Sequence, residues 1–293
     1  MSSCPPPRSP QYTPALVNGE LKASVNLFDR GFMYGDGLFE TVRVVNGQAP
    51  LWRYHCQRLK TGCRQLKIKT DTGLLKRLLA GLQEVVGEAG RTAETCVVKI
   101  MITRGVGGRG YQTAQHCTAS EIIICYPAPD YPSAYAREGI LVSTCQHRLS
   151  ENPLLAGIKH LNRLDQVLAS TELDDSVAEG LMLDQQGQVI EGTKSNILLF
   201  KNHEIVSPIT TSCGVDGVAR SFIFDNLSTL GAQGRFEHIK PEQISEFDGM
   251  AIVNSVLGIW PVRMLDGVEL PISPLVFDIQ RLFNDLLNFE YMP

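Results

Sequence analysis

The chain has 293 residues, 43 % of them apolar and 20 % charged, with 27 basic against 31 acidic side chains and a formal net charge of −4. That length holds two domains or one large α/β unit with a sizeable core, in the composition range of soluble globular proteins. The absence of a basic block argues against nucleic acid as a partner, and no apolar run is long enough to span a bilayer.

Residues 1–14, MSSCPPPRSPQYTP, lack the apolar core of a secretory signal and read as a disordered Pro-rich arm. From there, 15–21 reads as a strand and turn. In 27–51, Gly31, Gly35 and Gly37 punctuate a loop, after which ETVRVVN alternates as a strand closed by the hairpin signal Asn46-Gly47. Segments 53–66 and 73–86 have helical periodicity, the first with Cys56, Leu59, Cys63 and Leu66 on one face. VVKIMITR (97–104) and EIIICYP (121–127) are β-branched apolar runs, read as adjacent buried strands. PAPDYPSAY is the clearest linker, so the reading is an α/β protein of two domains, 15–126 and 137–293, joined by 127–136.

Beyond the linker, 139–146 is a strand. A helical face is expected from His160 onward through Leu161, Leu164, Val167 and Leu168. Two hairpins follow, at 180–192 and 196–208, with turns at Gln186-Gly187 and Asn202-His203. A helix is expected from Asp216 to Gly231, a strand over 249–256, and a terminal amphipathic helix over 277–289. The eight cysteines are scattered without a C-x-x-C pair, which speaks for a reduced, cytoplasmic protein without a metal site.

Two stretches invite chemistry. Lys159 stands between the breakers Pro153 and Gly157 and the helix pattern, flanked by apolar residues. Desolvation there favours the neutral amine, which can attack a carbonyl. From this segment alone, a surface lysine beside a polar helix start is the simpler reading. The second stretch, RGVGGRGY (104–111), satisfies G-x-G-x-x-G after a strand, but polar loop and then another strand follow it. A dinucleotide site needs a helix opening at those glycines, so that reading fails. The segment reads as a flexible loop carrying Arg104 and Arg109, suited to a substrate carboxylate or simply solvated.

Four features become coherent if the ligand is pyridoxal phosphate, which needs a lysine for its aldehyde, an acid for its ring nitrogen and cations or helix N-termini for its phosphate. Lys159, Glu191 at a strand end and Arg58 on the helix 53–66 supply the first three. The turn CGVDGVAR, opening a helix near Val218 and Ala219, supplies the last. Each residue also has an ordinary structural reading, and spacing alone does not bring them together.

DRGFMYGDGLFET, HCQRL, GIKHLNRLDQVLA, EGTKSNILLF and GVDGVAR, in that order, resemble the signatures of the fold-type IV pyridoxal phosphate enzymes over about residues 15–265. That family contains branched-chain and D-amino-acid aminotransferases and aminodeoxychorismate lyases. RGVGGRGY, NPLLAGIKHLNRLDQVL and NSVLGIWPV are similar to the lyases. The resemblance implies a smaller N-terminal and a larger C-terminal domain with the cofactor between them, and a homodimer in which each site borrows residues from the partner. It implies Lys159 as the lysine that bonds the cofactor, Glu191 as the ring-nitrogen acid, Arg58 as the phosphate arginine, and Val218 with Ala219 as a backbone phosphate cradle. Asn196, Asn254 and Ser255 fall among its further cofactor contacts. Phe39, Arg104, Arg109 and Tyr111 fall where substrate is met. Phe39 replaces a tyrosine of the D-amino-acid aminotransferases, so the hydroxyl that binds substrate carboxylate in those enzymes is missing. The activity implied is a lyase forming 4-aminobenzoate and pyruvate. An aminotransferase, and a silent binding protein of the same fold, are the alternatives.

Overall fold

The computed structural model describes residues 13–113 and 117–288, so the expected disordered arm, up to residue 12, and Cys4 lie outside the described residues. The first half holds β1 (Ala15–Val17), β2 (Glu20–Leu21), α1 (Arg30–Tyr34), β3 (Gly37–Val45), α2 (Trp52–Gln65), α3 (Leu74–Glu88), β4 (Thr95–Thr103) and β5 (Ser120–Pro127). Its strands form one antiparallel sheet in the order β2-β1-β5-β4-β3. The alternation expected in β3 is there: Leu38, Val42 and Val44 are buried towards α2 and α3, whereas Phe39 and Thr41 face the other way. Packing of Leu59, Cys63, Leu78 and Leu82 against Ile100, Ile102 and Ile123 closes this core. Each such apolar side chain contributes about 1.5–3 kcal/mol on burial.

After α4 (Ala134–Glu138) come β6 (Ile140–Arg148), α5 (Leu164–Ser170), β7 (Glu179–Leu183), β8 (Val189–Gly192), β9 (Asn196–Lys201) and β10 (Glu204–Pro208). They are followed by α6 (Val218–Asp225), β11 (Gln233–Glu237), a 3-10 turn (Pro241–Glu246), β12 (Gly249–Asn254), β13 (Gly258–Leu265), β14 (Val268–Glu269) and α7 (Pro274–Leu287). The larger sheet runs β11-β10-β9-β12-β13-β6-β7-β8, with β14 paired to β13. Its strands are nearly continuous apolar runs because both faces are covered: α6 and α7 pack on one, and a cluster around Trp260, Leu181 and Ile252 lies on the other. Both hairpins expected in this half form, β7–β8 and β9–β10.

Four local expectations change. Asn46 and Gly47 do turn, both with positive φ, but the chain enters α2 rather than a second strand, and the partner of β3 is β4. The glycine-punctuated loop contains α1, and Gly37 already belongs to β3. The helix expected from Asp216 to Gly231 ends at Asp225 and continues as turns. The helical face expected from His160 starts only at Leu164, and Leu164, Val167 and Leu168 are exposed, not buried. Periodicity marks an apolar face without saying what covers it.

Candidate active site

Lys159 lies five residues before α5 begins, in an extended segment stitched to both halves of the chain. The Phe39 N–H donates to the Lys159 carbonyl at 2.9 Å, and the Leu161 N–H to the Gly37 carbonyl at 3.0 Å. On the other side, Gly157 donates to Gly214 and Asp216 donates back to Gly157. Gly157 has φ +79°, and a Cβ there would sit 2.6 Å from Asp216 Oδ2, so the stitch requires glycine.

The lysine enters a cavity of about 800 Å³ between the two sheets, room for a cofactor with its substrate. Strand alternation brings Phe39 and Thr41 into its wall. Arg58, Glu191, Asn196, Val218, Asn254 and Ser255 line it as well. The Lys159 ammonium stands 4.6 Å from the Phe39 ring centroid. Burial, then the positive charges of Arg58 and Arg163, pull the amine down from 10.5 to about 8. A neutral, nucleophilic amine is therefore within reach near neutral pH.

Glu191 is buried on β8, with Oε2 accepting from the Val215 N–H at 2.8 Å and Oε1 from Gln166 at 3.2 Å. Burial pushes its carboxyl up against the opposing pull of Arg163, Val215 and Lys159. A cationic N–H of a bound ring would restore the charged form. Arg58 extends from α2 and donates to the Asp216 carbonyl at 2.9 Å, beside the start of α6. Gly217 caps that helix without any side-chain bond, which leaves its first N–H groups open to an anion. A Cβ on Gly217 would fall 1.7 Å from Asn196 Oδ1, so the GVDGVAR glycine is needed for the close approach of strand β9. A depressed amine, a buried carboxylate and an uncapped helix start beside an arginine fit pyridoxal phosphate.

Other expected residues are placed differently. Arg104 does not line the cavity. Its Nε and Nη2 hold Asp36 at 2.7 and 3.0 Å, and its amines also bond the Leu66 and Lys67 carbonyls at the end of α2. The glycine loop is not free either, since Arg30 donates to the Gly110 and Tyr111 carbonyls and to Asp36. Arg109 and Tyr111 do not line this chain's cavity, and Tyr111 is 88 % exposed. Ala219 is buried in the core and can offer only its backbone. The Asn254 side chain is committed to a turn, accepting from Val256 and Leu257 and donating to Lys194, while Ser255 donates to the Thr41 carbonyl.

Sequence reasoning missed Glu40, which orients Arg58. It faces away from Phe39 on β3, is 2 % exposed, and accepts from Arg58 Nε at 2.9 Å, Arg58 Nη2 at 2.5 Å and His55 Nδ1 at 2.6 Å. Burial alone would raise this carboxyl, but Arg58 and His55 outweigh it and hold it at about 2. The signal was present in FET beside HCQRL, but no spacing rule links a strand residue to a helix arginine.

Glu40→Gln is expected to cost about 3–5 kcal/mol in urea unfolding, because it leaves Arg58 without its buried counter-charge. A group lowered from 4.5 to about 2 contributes stability above 4.5 that is lost as pH falls through that window. The gap between wild type and variant should thus close between about pH 4.5 and 2. A gap independent of pH there would show that the pair is not the cause.

The family model for amino-transferase class IV matches residues 37–265. The chain belongs to the class IV aminotransferases. This is the fold-type IV family of pyridoxal phosphate enzymes. Among its relatives, an aminodeoxychorismate lyase of Vibrio harveyi is 32 % identical over 270 residues, covering 91 % of this chain and 95 % of that one. A D-alanine aminotransferase of Bacillus licheniformis is 24 % identical, covering 93 % and 97 %. The crystal structure of 4-amino-4-deoxychorismate lyase from Pseudomonas aeruginosa superposes with a TM-score of 0.87 at 38 % identity, over 94 % of this chain and all of that one. The matched region includes the stitched lysine, the buried acid and the uncapped helix start.

Proposed function

We propose that the protein is an aminodeoxychorismate lyase, converting 4-amino-4-deoxychorismate to 4-aminobenzoate and pyruvate with pyridoxal phosphate, as a step towards folate in the cytoplasm. The observation that carries this reading is likeness to lyases of that name along almost the whole chain, in sequence and in structure. Phe39 supports it, since a cavity wall without a hydroxyl there offers no partner for the carboxylate of a simple amino acid. In this reading Lys159 is the catalytic residue, Arg58 with the N–H groups of Val218 and Ala219 holds the phosphate, Glu191 meets the ring nitrogen, and Asn196, Asn254 and Ser255 shape the wall.

Pyridoxal phosphate, when bound, holds the substrate amine and takes up the electron pair left by C–H cleavage. Lys159, neutral once its amine is free, accepts the proton from the amine-bearing ring carbon. Expulsion of the enolpyruvyl group from the neighbouring carbon makes the ring aromatic, which drives the step. Lys159 can return the proton to the departing enol, so pyruvate forms and no amino group is transferred. The test is product analysis with aminodeoxychorismate and no keto acid. Turnover that appears only after a 2-oxo acid is added would make the protein an aminotransferase, and absence of any bound cofactor would leave a binding protein.

We further propose two units, 15–126 and 137–293, joined by 127–136, in accord with two sheets whose strands do not mix, and a homodimer. Phe32, Tyr111 and Leu164 are 69, 88 and 73 % exposed, and Asn162 bonds Gly35 between the segments that carry Phe32 and Leu164. A second copy covering this surface would place Arg109 and Tyr111 at the partner's cavity. Arg109→Ala is then expected to lower kcat/KM for aminodeoxychorismate by about tenfold to a hundredfold, the value of a charge-assisted pair. The slow reaction with a small D-amino acid should hardly change. Equal losses in both assays would mean general support of the site, and no loss would leave Arg109 a solvated charge.

A further inference from the structure

The turn between β8 and β9 carries a lysine that the reading above leaves unused. Beneath it lies Glu179, 0 % exposed. Its carboxylate accepts from the Gly180 and Thr193 N–H groups at 3.0 Å, the Thr193 hydroxyl at 2.5 Å and the Ser195 hydroxyl at 2.7 Å. All four donors are uncharged. A carboxylate buried on neutral donors is costly, and what it secures here is the pair of residues on either side of Lys194. Gly192 closes the turn by donating to the Ser195 carbonyl at 2.7 Å, and Asn254 donates to the Lys194 carbonyl at 3.0 Å. The Lys194 backbone is thus held fast, while its side chain is exposed in the cavity wall. Of the other charged residues there, Arg58, Lys159 and Arg163 are partly covered and Glu191 is buried. The Lys194 ammonium donates to the Ala178 carbonyl at 2.9 Å, and no carboxylate pairs with it among the described residues. Tyr126, Pro129 and Tyr131, likewise exposed in this wall, are uncharged.

We propose that Lys194 is a specificity-determining residue at the mouth of the cavity, where it binds the ring carboxylate of the substrate. The inference rests on the lyase reading. In aminodeoxychorismate that carboxylate sits on the ring carbon opposite the amine-bearing one. With the amine directed inward to the buried Lys159, the ring carboxylate points outward, to the side where Lys194 is the exposed charge. A lysine on a fixed backbone loses less freedom on pairing than one on a mobile loop. A small amino acid, whose single carboxylate lies beside its amine, does not reach the mouth.

The experiment compares wild type, K194Q and K194R as full-length protein saturated with pyridoxal phosphate. The product 4-aminobenzoate keeps the ring carboxylate and has lost the enolpyruvyl one, so its binding isolates the proposed contact. 4-Aminobenzamide, of the same shape without the charge, is the control. K194Q is expected to weaken 4-aminobenzoate by about threefold to fivefold, the upper range of an exposed ion pair, and to leave 4-aminobenzamide unchanged. K194R should restore the binding. Added salt should weaken 4-aminobenzoate in wild type more than in K194Q. KM for aminodeoxychorismate should rise in K194Q by the same factor, with kcat close to wild type. A raised KM with unchanged 4-aminobenzoate binding would give Lys194 the enolpyruvyl carboxylate and overturn the assignment. Equal losses for 4-aminobenzoate and 4-aminobenzamide, or weaker pyridoxal phosphate binding in K194Q, would overturn it too, since the turn would then support the site as a whole. Wild type that does not turn over aminodeoxychorismate would defeat the lyase reading itself, an outcome distinct from wild-type turnover that Lys194 does not affect.

Discussion

Lys159→Ala is expected to stop the lyase reaction, with kcat down by about 10⁴-fold or more, because nucleophile and proton acceptor are lost together. Wild-type protein treated with borohydride should carry the cofactor on the peptide that contains Lys159, and the variant should carry none. Label on another lysine would overturn the assignment. A second outcome concerns stability. A lysine held at about 8 instead of 10.5 gives up its proton more readily when folded. The unfolded chain then binds more protons across that window, so stability rises with pH from about 8 to 10.5 and is lowest below it. Lys159→Met should therefore raise the melting temperature of the apoprotein at pH 7, and the gain should shrink as pH passes through the window. A variant less stable than wild type at pH 7 would show that the ammonium is well accommodated in the empty cavity.

Glu191→Gln is expected to leave cofactor bound and to slow turnover by about 10²–10³-fold, the range for removing one fixed electrostatic contact from a transition state. The amide keeps the shape and one acceptor oxygen but not the negative charge, so a ring nitrogen facing it would lose its proton. The geometry favours a clean result. Val215 and Gln166 hold both carboxylate oxygens from behind, and a Gln side chain fits the same volume. Rapid-mixing measurement of substrate C–H cleavage separates this effect from product release. Unchanged cleavage would mean that another group keeps the ring nitrogen charged.

The fold was legible where local rules act alone. Alternation in β3, β-branched runs in β4 and β5, and the Gln186-Gly187 and Asn202-His203 turns placed these elements within a few residues. The site was less legible, for reasons that differ by residue. Lys159 and Glu191 look ordinary in isolation, and resemblance to a family, not spacing, joined them. The anchoring of Arg104 was not legible because glycines suggest mobility, whereas its partner Asp36 lies 68 residues away in sequence. Glu40 was invisible because alternation puts it on the side opposite Phe39, and only the crossing of α2 turns that side towards Arg58. The apolar face of α5 was real as a pattern, but its exposure depends on what lies outside one chain.

The backbone stitch at Lys159 has a consequence for how the gene could be divided. Lys159 belongs to the second half of the chain, yet its carbonyl accepts from Phe39 and the nearby Leu161 N–H donates to Gly37, both from the first half. A cut within 127–136 would sever no strand of either sheet, but would leave each fragment with an incomplete lysine mount. Two such fragments, inert apart, would recover the mount only on docking. That makes the enzyme a natural substrate for a split reporter, in which formation of product registers that two fused proteins have met.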